Sequence, residues 1–312
     1  MYLPYLRGRQ FELLALRELV EKNLIGNRII PVIEPIKPTS TLIKTLISYS
    51  DSNKNIAVIM NPQVGNFLND IRSLNENNKE NSIYKSLKNI MKKENIIHSY
   101  IMTPNIIDVI KKKSKNNKFI VINNSRDNVK YYLDACSENI PEYTLISEER
   151  IIRRSVKKGR VLLDDKFNKQ ERNVDYMNND DEFFSEEHLF YEEEGYSGFS
   201  DYSIVGEEFK ESGFAPLAVA IHIVYFDHEK SLRIKHFVSD SNEDINDPAG
   251  KFGEALEKLI SWIDGSHIQM TEGLKQFKLC YDTGKYPGLG TVKKLSIMHH
   301  IELINMYMQG EI

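Results

Sequence analysis

Several apolar runs in this 312-residue chain end in a residue able to bind or carry charge. Arg7 and Arg9 close YLPYLRGR (2–9), and Glu34 and Lys37 close or follow RIIPVIEP (28–35). Asn61 ends NIAVIMNP (55–62), Thr103 ends IIHSYIMTP (96–104), and Asn123 and Asn124 end KFIVINNS (118–125). Glu148 and Glu149 end EYTLISEE (142–149), Asp164 and Asp165 fall late in RVLLDDKF (160–167), and Glu207 and Glu208 end DYSIVGEE (201–208). Carboxylates gathered from four such ends would offer a divalent cation the oxygen ligands it prefers. In that arrangement Glu34 and Asp164 are the candidate ligands of Mg²⁺ or Mn²⁺. Glu148 and Glu207 are the candidate bases. Arg7 and Arg9, with Lys37, Asn61 and Asn123, would hold an anionic group, the guanidiniums in bidentate fashion. That donor set suits metal-assisted hydrolysis of a phosphoester or nucleotide. The plainer reading is that strand ends meet solvent, so each polar residue there is a cap, a solvated side chain or half of a local ion pair.

Such a rim exists only if the runs are strands that point the same way. The eight runs are continuous in Ile, Val and Leu, which marks strands buried on both faces. Most are followed by a helical pattern: FELLALRELVEKN (11–23), TSTLIKTLISYS (39–50) with Thr39 or Ser40 as its cap, a lysine-rich stretch to about residue 94, NIIDVIKKKSK (105–115), RDNVKYYLDACSE (126–138) and RIIRRSVKK (150–158). Strand–helix alternation argues for parallel pairing through right-handed crossovers, and eight units close into a (β/α)8 barrel. A doubly wound sheet would carry a glycine-rich phosphate turn after its first strand, and none is present.

Two stretches depart from the rhythm. Residues 168–200 are acidic and aromatic, and are expected as a surface insertion between the seventh and eighth strands, either a mobile loop or a docking arm. PLAVAIHIVYF (216–226) and SLRIKHFVSD (231–240), joined by DHEK, predict an antiparallel hairpin. PAGKFGEALEKLISWI (248–263) is expected as the last barrel helix, and residues 264–312 as a helical appendage ending in KKLSIMHHIELINMYM. No linker divides the chain, so the expectation is one barrel domain with an appendage. His222 reads as a packed imidazole of the hairpin. His299 and His300 are neighbours on one helix, where they point about 100° apart and do not suit one metal.

Composition narrows the field. Apolar residues at 41% and charged residues at 28% fit a globule with a sizeable core. A net charge of -4 disfavours generic nucleic-acid binding, although Arg150, Arg153, Arg154, Lys157, Lys158 and Arg160 form a local basic cluster. No apolar run approaches the roughly 18 residues of a membrane span. No basic region precedes an apolar stretch at the start, which argues against a secretory leader. Two cysteines without metal-type spacing point to a reducing, cytoplasmic setting. Walker, G-x-S-x-G and H-E-x-x-H motifs are missing.

The run Tyr2-Leu3-Pro4-Tyr5-Leu6-Arg7-Gly8-Arg9-Gln10-Phe11-Glu12-Leu13, the run Ile30-Pro31-Val32-Ile33-Glu34-Pro35, Asp201-Tyr202-Ser203, and Met298-His299-His300-Ile301 resemble bacterial and phage "beta family" proteins. The likeness is to a branch that opens with Y-x-P-Y-L-R-G-R-Q and lies beside a small nuclease-like gene. It implies a mobile-element or phage-defence setting and a chain that works as half of a pair, but supplies no catalytic residues. Two functions follow as expectations: a barrel-shaped binding or regulatory subunit for a partner protein encoded nearby, or the metal-dependent hydrolase outlined above.

Overall fold

The computed structural model describes residues 1–77, 82–113, 118–211 and 216–312. It falls into two compact units. The first is Met1–Asp165 with Glu187–Tyr202, and the second is Lys166–Glu186 with Ser203–Ile312.

The first unit is built on eight parallel strands: β1 (Tyr5–Leu6), β2 (Val32–Ile33), β3 (Ile56–Ile59), β4 (Ile96–Ile101), β5 (Phe119–Asn123), β6 (Tyr143–Ile146), β7 (Arg160–Asp164) and, after β8 (Asp181–Ser185) of the other unit, β9 (Gly198–Asp201). Their order is β1-β2-β3-β4-β5-β6-β7-β9. Tyr2 bridges Phe199 in parallel, Leu3 N–H donates to the Phe199 carbonyl at 2.9 Å, and Phe199 N–H donates to the Met1 carbonyl at 3.0 Å. These bonds join first strand to last, so the sheet curls into a nearly closed (β/α)8-type barrel.

Alternate residues of each strand fill its centre, as the period of two requires. Leu3, Tyr5, Val32, Ile59, Ile122 and Leu163 belong to one buried cluster. The intervening residues meet the helices outside. Gln10–Glu21 and Ser40–Asp51 pack on each other, and the hydroxyl of Thr45 donates to the Leu13 carbonyl at 3.1 Å. Thr39 is the cap of the second of these helices, its side chain accepting from Leu42 N–H. The lysine-rich stretch resolves into Phe67–Asn77 and Ser82–Ile90, with 78–81 outside the described residues. The helix expected over 105–115 is a 3-10 turn and the short helix Ile107–Lys111, with 114 and 115 outside the described residues.

The eighth barrel strand lies earlier than the apolar pattern suggests. DYSIVGEE is not a strand beyond Asp201, because Ser203 sits in the left-handed region (φ 52°) and turns the chain away. Glu207 therefore does not tip a strand, and it lies exposed in the second unit. The acidic stretch 168–200 is likewise not a simple surface loop. It contains a 3-10 helix (Asn173–Asn178), β8, the helix Glu187–Phe190 and most of β9.

The second unit holds a three-stranded antiparallel sheet in the order β10-β11-β8, with β10 (Ala220–Phe226) and β11 (Leu232–Val238) forming the hairpin. The helix Pro248–Asp264 covers one face of this sheet and is not a barrel helix. Trp262 lies 5.0 Å from the Tyr225 ring and 5.4 Å from the Phe237 ring. The helix Leu289–Gln309 packs on β10 and on Glu272–Thr283. Among the described residues no helix is long and apolar enough to cross a membrane.

Candidate functional site

In a barrel of this kind, function collects where the strands end. At the end of β2, Ile30, Val32 and Glu34 share the inward side, so Glu34 follows two core residues into the mouth. Its side chain is fully buried. Oε2 accepts from the Tyr5 hydroxyl at 2.7 Å and from Arg7 Nη1, and Oε1 accepts from Gln63 N–H at 2.7 Å. Arg7 follows Tyr5 by two positions on β1, next to β2, which puts its guanidinium beside that carboxylate. The guanidinium lies 5.1 Å from the Tyr5 ring centre and 5.3 Å from that of Tyr202, and the two rings are 5.0 Å apart.

The electrostatics are self-contained. Burial, and then the Glu34 charge, push the Tyr5 hydroxyl well above its usual range, so it stays a proton donor. Burial works against the charge of Arg7, but Tyr5 and Glu34 outweigh it and hold its pKa above the ordinary value. The side chain of Arg7 retains 12% exposure, so the clamp leaves one cation showing at the rim. Two carboxylate oxygens with three donors, and two tyrosine faces against a guanidinium, make a rigid recognition element. Both carboxylate oxygens accept hydrogen bonds from the protein itself.

The other expected site residues are placed differently. Asn61 joins two strand ends: Nδ2 donates to the Ile101 carbonyl at 2.7 Å, and Oδ1 accepts from Ile101 N–H at 2.9 Å. Gln63 Nε2 donates to the Asn61 carbonyl at 2.6 Å, which ties that bridge to the Glu34 support. Asn123 is fully buried, but Ile120 and Ile122 face the barrel centre, so Asn123 lies on the opposite, helix-facing side. Neither of its amide atoms has a partner among the described residues. Arg9 precedes the helix Gln10–Glu21, its backbone N–H donating to Glu12 Oε2 at 3.3 Å, and Lys37 is exposed.

Asp164 is exposed on the outer side, because Val161 and Leu163 take the inward positions of β7. Glu148 is exposed and engaged elsewhere, accepting from Arg153 at 3.3 Å and from the Tyr196 hydroxyl at 2.9 Å. Part of the basic cluster serves the same surface: Arg153 and Arg160 stack over Tyr196 and donate to the carbonyls of Glu194 and Gly195. Arg7 and Glu34 are thus brought together, as each other's partner, whereas Asp164 and Glu148 do not join them. Among the described residues no group of three or more His, Cys, Asp and Glu side chains is placed to hold a metal ion.

Sequence reasoning missed Tyr5, Gln63 and Tyr202 as site residues. Tyr5 was within reach, since it shares the inward parity of Leu3. It also missed a cluster in the second unit. His222 faces its cross-strand partner His236, Nδ1 to Nδ1 at 2.7 Å, and His236 Nε2 lies 3.2 Å from Glu182 Oε1. With Glu182 Oε1 accepting from His236 Nε2–H, His236 Nδ1 is the acceptor and His222 Nδ1 the donor of the bond between the rings. Tyr176 rests 4.6 Å from both rings. Burial, then the facing imidazole, push His222 well below its usual pKa, and burial also lowers His236. His299 bonds Thr271 Oγ1 at 2.7 Å and the Val224 carbonyl at 2.6 Å, and His300 Nδ1 meets Ser203 Oγ at 3.0 Å. Burial takes these two down to about 4 and about 3.

The fold and the clamp define the chain as a (β/α)8-type barrel whose mouth carries a carboxylate-held arginine. No family model, no curated protein and no solved structure matches it.

Proposed function

We propose that this chain is a binding or regulatory subunit for a partner protein encoded beside it, within a two-gene mobile-element or phage-defence cassette of the kind the beta-family resemblance implies. The observation that carries the reading is the Arg7 clamp. A guanidinium fixed by Glu34 and two tyrosine rings has little rotamer freedom left to lose on binding. Arginine is also among the residues that most often dominate protein interfaces. The exposed part of Arg7 would meet a carboxylate or carbonyl of the partner.

The hydrolase alternative requires Glu34 to give an oxygen to Mg²⁺ or Mn²⁺ alongside Asp164. Glu34 is instead committed to three donors, and Asp164 lies on the other side of its strand. These placements favour the binding role.

Co-expression with the neighbouring gene product tests it. The expected result is one species in a native mass measurement, at the summed mass of the two chains. The double variant Arg7→Met with Glu34→Gln leaves no buried charge unpaired, and should return the chain to its free mass while keeping the wild-type circular dichroism. A wild-type chain that runs alone in every such preparation overturns the proposal.

A further inference from the structure

The outer side of β3 and β4 carries a feature unconnected with the mouth. Val58 and His98 are on the helix-facing side of their strands, since Ala57, Ile59 and Ile97 take the barrel centre. The helices Phe67–Asn77 and Ser82–Ile90 stand over them and leave a cleft of about 370 Å³. That volume is in the range of small-molecule sites, about 300–1,000 Å³. Its walls are apolar: Val58, Met60, Phe67, Leu68, Leu87 and Met91. Leu68 is 43% exposed at its lip, a large hydrophobic side chain left in contact with water.

Among the described residues the charges at the cleft have one sign. Lys88 and Lys92 line it, both are exposed, and neither makes an ion pair among the described residues. Lys88 lies in the last turn of the helix Ser82–Ile90 and Lys92 in the turn that follows it. Among the described residues no acidic side chain lines the cleft. Tyr84 and His98 supply the other polar groups of the lining, and His98 spends Nε2 on the Met91 carbonyl at 2.9 Å. Burial lowers its pKa, which keeps the imidazole neutral near pH 7.

An apolar slot with two unneutralised ammonium groups at its edge is complementary to a molecule with an apolar body and a single anionic end. We propose that this cleft binds an acyl or aryl carboxylate, its hydrocarbon between Phe67, Leu68 and Leu87 and its carboxylate at Lys88 and Lys92. An alcohol of the same chain length would gain the apolar contacts and lose the charge-assisted bonds.

Calorimetric titration with decanoate, kept below its micelle concentration, tests the proposal against decanol and decylamine. The expected result is saturable one-to-one binding of decanoate, weaker binding of decanol by about tenfold, and none of decylamine. Lys88→Glu combined with Lys92→Glu changes only exposed side chains and should weaken decanoate by at least about tenfold, leaving decanol unchanged. Leu68→Asp, also at an exposed position, should weaken both. Circular dichroism of each variant reports that the barrel is intact. No saturable binding of decanoate, or equal binding of decanoate and decanol, overturns the proposal. So does a charge-reversed, folded variant that binds decanoate as the wild type does.

Discussion

Acidification should destabilise the second unit through its buried histidines. His299 and His300 hold folded-state pKa values of about 4 and about 3, against an ordinary 6.5. Because the folded values are depressed, the unfolded chain binds protons first. The stability gained from keeping these rings neutral is complete above pH about 6.5 and is lost as pH falls from there toward the folded values. Between pH 7.5 and pH 5.5 each ring should forfeit about 1.3 kcal/mol, and the two together about 2.6 kcal/mol. His222 and His236 are lowered as well and act in the same direction, with Glu182, Asp180 and Asp181 facing His236 and Lys293 facing His222. The window stays above the ordinary carboxylate range, so histidine dominates it. Trp262, the single tryptophan of the chain, sits against Tyr225 and Phe237 in this unit. Urea unfolding followed by its fluorescence should show the lower stability at pH 5.5, and His300→Leu should remove about 1.3 kcal/mol of the difference. Equal midpoints at the two pH values, with equal slopes, would refute the reasoning.

Three substitutions probe the framework. Glu34→Gln leaves Arg7 as an uncompensated, largely buried cation and should cost about 3 kcal/mol in thermal or urea unfolding, with part of the loss recovered when Arg7→Met is added. Gly8→Ala should cost about 1–2 kcal/mol by the same assays. Its φ is 63°, and an added Cβ would lie 3.0 Å from Ile33 Cγ2 and 3.2 Å from the Glu34 carbonyl. Thr271→Val removes both the cap to Leu274 N–H and the bond to His299 Nδ1, and should cost about 1–2 kcal/mol with the Trp262 signal as readout.

The barrel was legible because strands buried on both faces must be continuous in aliphatic residues, and seven of its strands fall within such runs. The eighth was misplaced because Gly198-Phe199-Ser200-Asp201 has no such run, while Ile204 and Val205 just beyond it do. Only the left-handed turn at Ser203 decides between them. β8 was hidden by its acidic composition, since Asp181–Ser185 becomes a strand by pairing with β11, some fifty residues away. At the site, the individual promise of Arg7 and Glu34 was visible at the ends of adjacent strands. Their mutual pairing was not, because an acid and a base at one rim can each serve a ligand or each other. The outward placement of Asp164 could have been read by counting from Val161 and Leu163. The His222–His236 pair could likewise have been found by counting back from the hairpin turn, where Asp227 Oδ1 accepts from Glu229 and Ser231 N–H groups.

The role assigned to the mouth is tested most directly by backbone hydrogen exchange on the chain alone and in complex with the partner proposed for it. The account predicts slowed exchange over residues 5–9 and at Gln63, whose N–H rests on Glu34, once the partner is bound. A complex that forms and leaves those amides exchanging as before would contradict it.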